Sequence, residues 1–203
     1  MHLETVCTGD ELLTGLTSDT NSRFFQERTL TRLGVKVLRS TVVGDSLSEI
    51  TEVLQQVGAR SDAVLVSGGL GPTLDDLTAE SAARAAGVEL VEDALARAHL
   101  VERFKARGIQ LSDNNLRQAM VPRGSHVTLN SSGSAPMFEL TIGKARCFFV
   151  PGVPAEYRHL VETAVLPALE SMLGTARPHL AFRLLKTVLT IAYFDRLGVP
   201  RLS

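Results

Sequence analysis

Short, continuously apolar runs alternate with longer stretches of helical spacing along the 203-residue chain. Leu3–Cys7, Val35–Val43 and Ala63–Ser67 read as strands, because each is apolar or β-branched over strand length. Between them the spacing predicts helices over Asn21–Leu33 and from Ser46 to about Ala59. Asp19 or Thr20 can cap the first helix, and Gly34 can stop it in the left-handed conformation. Ser46-Leu47-Ser48-Glu49 has capping-box spacing. Such strand–helix alternation implies right-handed crossovers and a parallel sheet covered on both faces.

Beyond Ser67, a helical pattern through Ala79–Ala86 ends at Gly87. A further helix is expected over Glu92–Arg107, with Leu95, Ala98 and Val101 facing the core, and another piece over Ser112–Met120. Val127–Leu129, Met137–Ile142 and Arg146–Val150 are strand-like, the first two flanking the turn-rich segment Asn130–Pro136. A last helix is expected over Ala155–Leu173, kinked at Pro167. Residues 1–173 read as one domain. The tail 174–203 contains a strand-like run, Phe182–Ile191, and has two readings: the truncated start of a following domain, or a strand completing the main sheet.

Composition adds constraints. The formal charge of −1 gives no electrostatic footprint for direct binding of nucleic acid or an anionic membrane. Cys7 and Cys147 lie in apolar runs without metal-finger spacing, so they are expected to be buried free thiols in a reducing compartment. No signal-peptide pattern and no apolar run of membrane-spanning length is present, which leads us to expect a soluble cytoplasmic protein.

The candidate chemistry centres on Ser67-Gly68-Gly69-Leu70-Gly71-Pro72-Thr73-Leu74-Asp75-Asp76-Leu77-Thr78. Three glycines between strand and helix let a backbone approach a ligand, and a helix start offers N–H groups to phosphate. Asp75 and Asp76 in the first helical turn would repel that phosphate unless a cation intervened. In a parallel sheet, ligands sit beyond the carboxyl ends of the strands. Acidic residues mark each such end: Asp10 and Glu11, Asp45, Asp75 and Asp76, and Glu156 after Pro151-Gly152-Val153-Pro154. If these ends converge, an oxygen-only set suits a hard cation and the hydrolysis of a phosphoanhydride. Plainer readings stand beside this one. Asp75 and Asp76 could serve the helix dipole, Asp10, Glu11 and Asp45 could be turn residues, and Glu156 a first-turn acid. Asn21 and Asn115 could likewise stabilise turns, and the five histidines show no ligand-like spacing.

The combination resembles the CinA (competence/damage-inducible protein A) family, within the MoaB/MogA-like molybdopterin-binding superfamily. Six segments carry the resemblance in order: Gly9–Gly15, Asp19–Ser22, Thr41–Asp45, Gly68–Thr78, Asn114-Asn115 with Gln118-Ala119, and Pro151–Glu156. The resemblance implies a three-layer αβα sandwich with a mostly parallel sheet, and dimers or trimers. It implies pyrophosphatase activity on ADP-ribose or a similar nucleotide diphosphate, assisted by a divalent cation (Co²⁺, Mg²⁺ or Mn²⁺) and K⁺. Asp45 and Asp76 become the catalytic positions. They are also the expected metal-binding positions, with Asp75 and Glu11. Gly68, Gly69, Gly71, Pro72, Thr73, Asn21, Asn115 and Glu156 become candidate substrate contacts. The other readings are a molybdopterin-binding protein of cofactor biosynthesis and a non-catalytic nucleotide-binding domain. Asp10 stands where many relatives carry threonine or another small residue, and Val188–Ser203 departs from the family pattern. A deamidase activity associated with longer members is therefore not carried over.

Overall fold

A computed structural model of the chain describes residues 1–174. The strand-like run Phe182–Ile191 and both readings of the tail from residue 175 lie outside the described residues.

The chain begins with β1 (Leu3–Thr8), a short helix α1 (Asp10–Leu13), α2 (Thr20–Arg28) and β2 (Val37–Val43). α3 (Leu47–Arg60), β3 (Ala63–Ser67) and α4 (Thr78–Ala86) follow. The middle contains β4 (Leu90–Glu92), α5 (Ala94–Ala106), α6 (Asp113–Leu116) and β5 (Met120–Pro122). β6 (His126–Thr128), β7 (Met137–Ile142), β8 (Ala145–Val150), α7 (Pro154–Leu160) and α8 (Leu166–Leu173) complete the described chain.

The main sheet has the order β2-β1-β3-β8-β7-β6. The pairs β1/β2, β1/β3 and β3/β8 are parallel, whereas β8/β7 and β7/β6 are antiparallel. The sheet is thus mostly parallel at one side with an antiparallel extension. Strand alternation sends neighbouring side chains to opposite faces. Val64 and Val66 of β3, with Cys147 and Phe149 of β8, face a core shared with Ile50 and Leu54 of α3 and Ala82 of α4. Ala63, Leu65, Phe148 and Val150 face the other core, with Phe25 of α2, Tyr157 and Leu160 of α7, and Leu169 of α8. Both faces are covered, which is why β3 and β8 are apolar apart from Ser67 and Arg146. The three-layer αβα expectation holds. Phe138 stacks on Phe149 across β7/β8 at 4.5 Å between ring centroids.

Local signals explain the boundaries. Asp19 accepts the Ser22 N–H at 2.8 Å and caps α2, and Gly34 ends the following π-helical turn with φ of 67°. The single helix expected over Ala155–Leu173 is instead α7, a π-helical turn over Val161–Val165 and α8, whose first turn carries Pro167.

Three expectations need correction. The sequence pattern missed the two-stranded antiparallel sheet β4/β5, whose strands are three residues each. The single helix expected over Ser112–Met120 is instead α6, a 3₁₀ turn and the start of β5. In α5 the core face is Ala96 and Leu100, continued by the half-buried Phe104 and packed against Ala119. Ala98 is exposed, as are Leu95 (65%) and Val101 (40%), so the stripe read from the sequence was off register.

Candidate functional site

β2, β1, β3 and β8 are consecutive in the sheet and parallel, so their carboxyl ends lie side by side. The four polar turns picked out in the sequence leave from these ends. They line one cavity of about 600 Å³. That lies within the roughly 300–1,000 Å³ typical of small-molecule sites. Glu11, Asp45, Asp75, Asp76 and Glu156 all line it, with Asn21, Gly68, Gly69, Gly71, Pro72 and Thr73. Asp10 and Asn115 are not among the lining residues. Asn115 closes a capping box on α6, its Oδ1 accepting from the Ser112 hydroxyl at 2.7 Å and the Ser112 N–H at 3.1 Å. The plainer reading of Asn115, a turn stabiliser, describes the placement seen.

Asp10 acts one step back from the cavity. Its N–H donates to Asp45 Oδ2, and the Asp45 N–H donates to Asp10 Oδ1, both at 3.1 Å. Gly44 makes this clasp possible, since a Cβ there would stand 2.5 Å from Asp10 Oδ1. Burial pushes the Asp45 carboxyl above its ordinary value. The Asp10 N–H pulls it back, and the negative charges of Asp10, Glu11 and Asp75 push it up again.

The glycine turn differs from the expectation. α4 begins at Thr78, so Asp75 and Asp76 lie in the preceding turn and not in the first turn of the helix. The Asp76 carboxylate folds back to accept the Gly71 N–H at 2.7 Å and the Thr73 N–H at 2.8 Å, with the Thr73 hydroxyl at 2.5 Å. Two N–H groups expected to face phosphate are therefore taken by the protein's own carboxylate. The apparent repulsion between aspartate and phosphate turn resolves into an internal bond. The glycines also serve the chain's own packing. Gly68 (φ 101°) leaves 2.5 Å between a notional Cβ and the Thr8 carbonyl oxygen, and Gly69 (φ 62°) lies against the Thr78 hydroxyl. The N–H groups of Gly69 and Leu70 take no backbone partner among the described residues.

On the other wall, Asn21 Nδ2 donates to the Gly152 carbonyl at 2.8 Å, tying α2 to the loop after β8. Glu156 accepts from Asn130 Nδ2 at 2.6 Å, and the same amide holds the Ala135 carbonyl at 3.0 Å. Asn130 is fully buried. Its role was not legible in the sequence, where it reads as one of several turn residues. Gln118 also lines the cavity and carries no individual signal beyond its place in a matching segment.

Beneath the cavity, Cys7 is buried and hydrogen-bonds Ser22 Oγ at 3.0 Å and Asp19 Oδ2 at 3.3 Å. Burial pushes its thiol up to about 11, and that of Cys147 to about 12. Both are free and buried, as expected. No helix among the described residues is long and apolar enough to cross a membrane.

Known proteins place these features in a family. A family model described as "Probable molybdopterin binding domain" matches residues 4–171. A CinA-like protein of Myxococcus xanthus is 50% identical over 191 residues, covering 93% of this chain and 45% of that protein. A CinA-like protein of Citrifermentans bemidjiense is 48% identical, covering 83% of this chain and 41% of its own length. The chain thus spans less than half the length of these relatives. The crystal structure of CinA from Thermoplasma acidophilum, described as of unknown function, matches with a TM-score of 0.74 and 34% identity over 82% of this chain and 96% of that one. MoaB of Thermus thermophilus, a molybdopterin biosynthesis enzyme, shares the fold at a TM-score of 0.56 and 20% identity, over 87% of this chain and 98% of that one. With a sequence match across nearly all described residues, the chain belongs to the molybdopterin-binding domain family, is similar to CinA-like proteins, and shares the fold of MoaB.

Proposed function

We propose that this domain hydrolyses the diphosphate bond of ADP-ribose or a similar nucleotide diphosphate. One observation carries the reading: five carboxylates and a glycine turn, from four consecutive parallel strand ends, line a single cavity. The Gly69 and Leu70 N–H groups would donate to the diphosphate. Asp45, its carboxyl held above the ordinary value, is suited to accept a proton from an attacking water. Asp76 would shape the turn through its bonds to Gly71 and Thr73 and present its remaining acceptor capacity to the site. Glu156, steadied by Asn130, would hold a ribose hydroxyl, and Asn21 would contact the nucleotide.

The site's donors fit a divalent cation of a particular kind. Among the described residues no group of three or more His, Cys, Asp or Glu is placed to hold a metal alone. The crowding of Asp10, Glu11 and Asp75 around Asp45 is nevertheless relieved by a positive charge. Asp45, with Asp75 or Glu11, would hold Mg²⁺, Mn²⁺ or Co²⁺ once a phosphate-bearing ligand is present. When bound, such an ion would neutralise the diphosphate and acidify a water, and K⁺ would be a further activator. The working form is proposed to be a cytoplasmic homo-oligomer.

Incubation with ADP-ribose, a divalent cation and K⁺ should release AMP, and Asp45→Asn should abolish the release. No turnover by the unaltered protein would overturn the reading. A second reading, binding of molybdopterin without hydrolysis, is favoured by the inward turn of the Asp76 carboxylate. It predicts pterin affinity with ADP-ribose left intact.

A further inference from the structure

The cavity divides by chemistry along the row of strand ends. The turns after β2, β1 and β3 bring Asp45, Glu11, Asp75 and Asp76 to its lining, and among the described residues no lysine, arginine or histidine lines it. The turn after β8 brings Pro151-Gly152-Val153-Pro154, four lining residues without a polar side chain. Much of the polar backbone in this wall is already spent. Pro151 and Pro154 have no N–H, the Gly152 carbonyl accepts from Asn21, and the Val153 carbonyl accepts the Tyr157 N–H at 2.9 Å. Val153, at the N-cap position of α7, is 54% exposed and gives the wall an open apolar face.

Resting on the nucleotide reading of the cavity, we infer that the ligand lies in one direction along this row, its heteroaromatic ring against Val153 and its diphosphate at the acidic end. A nucleotide carries its charge on phosphate and its least polar surface on the two faces of the ring. A ring face needs apolar contact and no hydrogen-bond partner, which is what the Pro151–Pro154 wall presents. The carboxylates of the other three turns would lose water to a ring face and gain no partner in return. Glu156 follows Val153 by three residues in the first turn of α7, so a ribose held there lies next to the ring. Val153 is thus a specificity-determining residue for ring-bearing ligands and takes no part in the chemistry.

The test compares AMP with ribose 5-phosphate, which keeps the sugar and phosphate and lacks the ring, by calorimetry with Mg²⁺ present. The unaltered protein should bind AMP more tightly. Val153→Ser should weaken AMP about tenfold, the loss expected for a partly buried valine contact, and leave ribose 5-phosphate unchanged. Serine is a favoured N-cap residue, so the melting temperature of the ligand-free variant should hold or rise. Leu74→Ser, at a leucine 77% exposed beside Asp75, should leave AMP binding unchanged. The chain has no tryptophan, so Val153→Trp supplies a single reporter whose emission AMP should quench and ribose 5-phosphate should not. Equal binding of AMP and ribose 5-phosphate by the unaltered protein overturns the inference alone and leaves the nucleotide reading standing. So does a Val153→Ser variant that weakens both ligands equally or neither, a greater loss of AMP in Leu74→Ser, or tryptophan emission indifferent to saturating AMP. Binding of neither ligand overturns the nucleotide reading and this inference with it.

Discussion

Asp10 and Asp45, separated by 35 positions, exchange reciprocal hydrogen bonds, each backbone N–H donating to the other's carboxylate at 3.1 Å. The clasp fastens the turn after β1 to the turn after β2 and fixes Asp45 at the cavity wall. It also places two negative charges side by side, and Glu11 and Asp75 add to them. Burial and these charges together raise the Asp45 carboxyl above its ordinary value on folding.

That shift gives a signed stability prediction. A carboxyl whose pKa is raised on folding contributes stability below its unfolded value, near 3.8, and loses it as pH rises through the folded value. Asp45→Asn, which keeps an acceptor for the Asp10 N–H, should raise the melting temperature at pH 7 by about 1–3 °C. Calorimetric scans should show the gain shrinking toward pH 4. AMP release should fall to background in the same variant. Divalent cation should raise the melting temperature of the unaltered protein more than that of Asp45→Asn.

Asp76 separates shape from chemistry. Asp76→Ala leaves the Gly71 and Thr73 N–H groups without their acceptor and should cost about 1–3 kcal/mol in chemical denaturation. Asp76→Asn retains one acceptor oxygen and should cost less than half as much. If the proposed hydrolysis is correct, both should lose activity. An Asp76→Asn variant with full AMP release would confine Asp76 to shaping the turn.

Among the glycines of the turn after β3, Gly68 and Gly69 should tolerate alanine least. Each has positive φ, and an added Cβ meets the Thr8 carbonyl or the Thr78 hydroxyl. Each substitution should destabilise by about 1–3 kcal/mol, read from urea midpoints. At Gly71 the φ is ordinary and a Cβ would stand 2.6 Å from Asp76 Oδ2. Gly71→Ala should therefore displace the Asp76 carboxylate, weakening ligand binding more than folding.

Far from the cavity, Glu4 is fully buried and paired bidentately with Arg60 at 2.8 and 2.7 Å. The Arg60 hydrogen bonds outweigh burial and hold the Glu4 carboxyl below its usual value of 4.5. A lowered folded value means stability present above pH 4.5 and lost as pH falls through the folded value. Arg60 is 35% exposed, so Arg60→Met should cost about 2 kcal/mol, below the figure for a wholly buried pair. The difference from the unaltered protein should narrow in urea titrations below pH 4.

The parallel part of the fold was legible because β1, β2, β3 and their helices carry local signals: apolar runs, the Asp19 and Ser46 caps, and Gly34 and Gly87 stops. The three-residue strands β4 and β5 carry no such signal, because their pairing joins residues about thirty apart in sequence. The true face of α5 was hidden because alanine at 96 is as apolar as alanine at 98, and only the neighbour Ala119 distinguishes them. For the site, the acidic turns were legible through the rule that ligands lie beyond parallel strand ends. The inward turn of Asp76 was not, since a carboxylate's partner is decided by the turn's backbone path. Asn130 matters through burial and shared hydrogen bonds, which no single sequence position records.

The order β2-β1-β3-β8 has a consequence for ligand size. Neighbouring strands stand about 4.8 Å apart, so the row of turns from the Asp45 end to the Pro151 end measures roughly 14 Å. The sheet thus acts as a ruler laid across the cavity floor. A compact ligand such as pyrophosphate can touch two neighbouring turns, whereas an extended one with a sugar on each side of its diphosphate can touch all four at once. Selectivity by length is then inherited from backbone hydrogen-bond spacing, and side-chain changes in any one turn can alter what is bound without altering how long it must be.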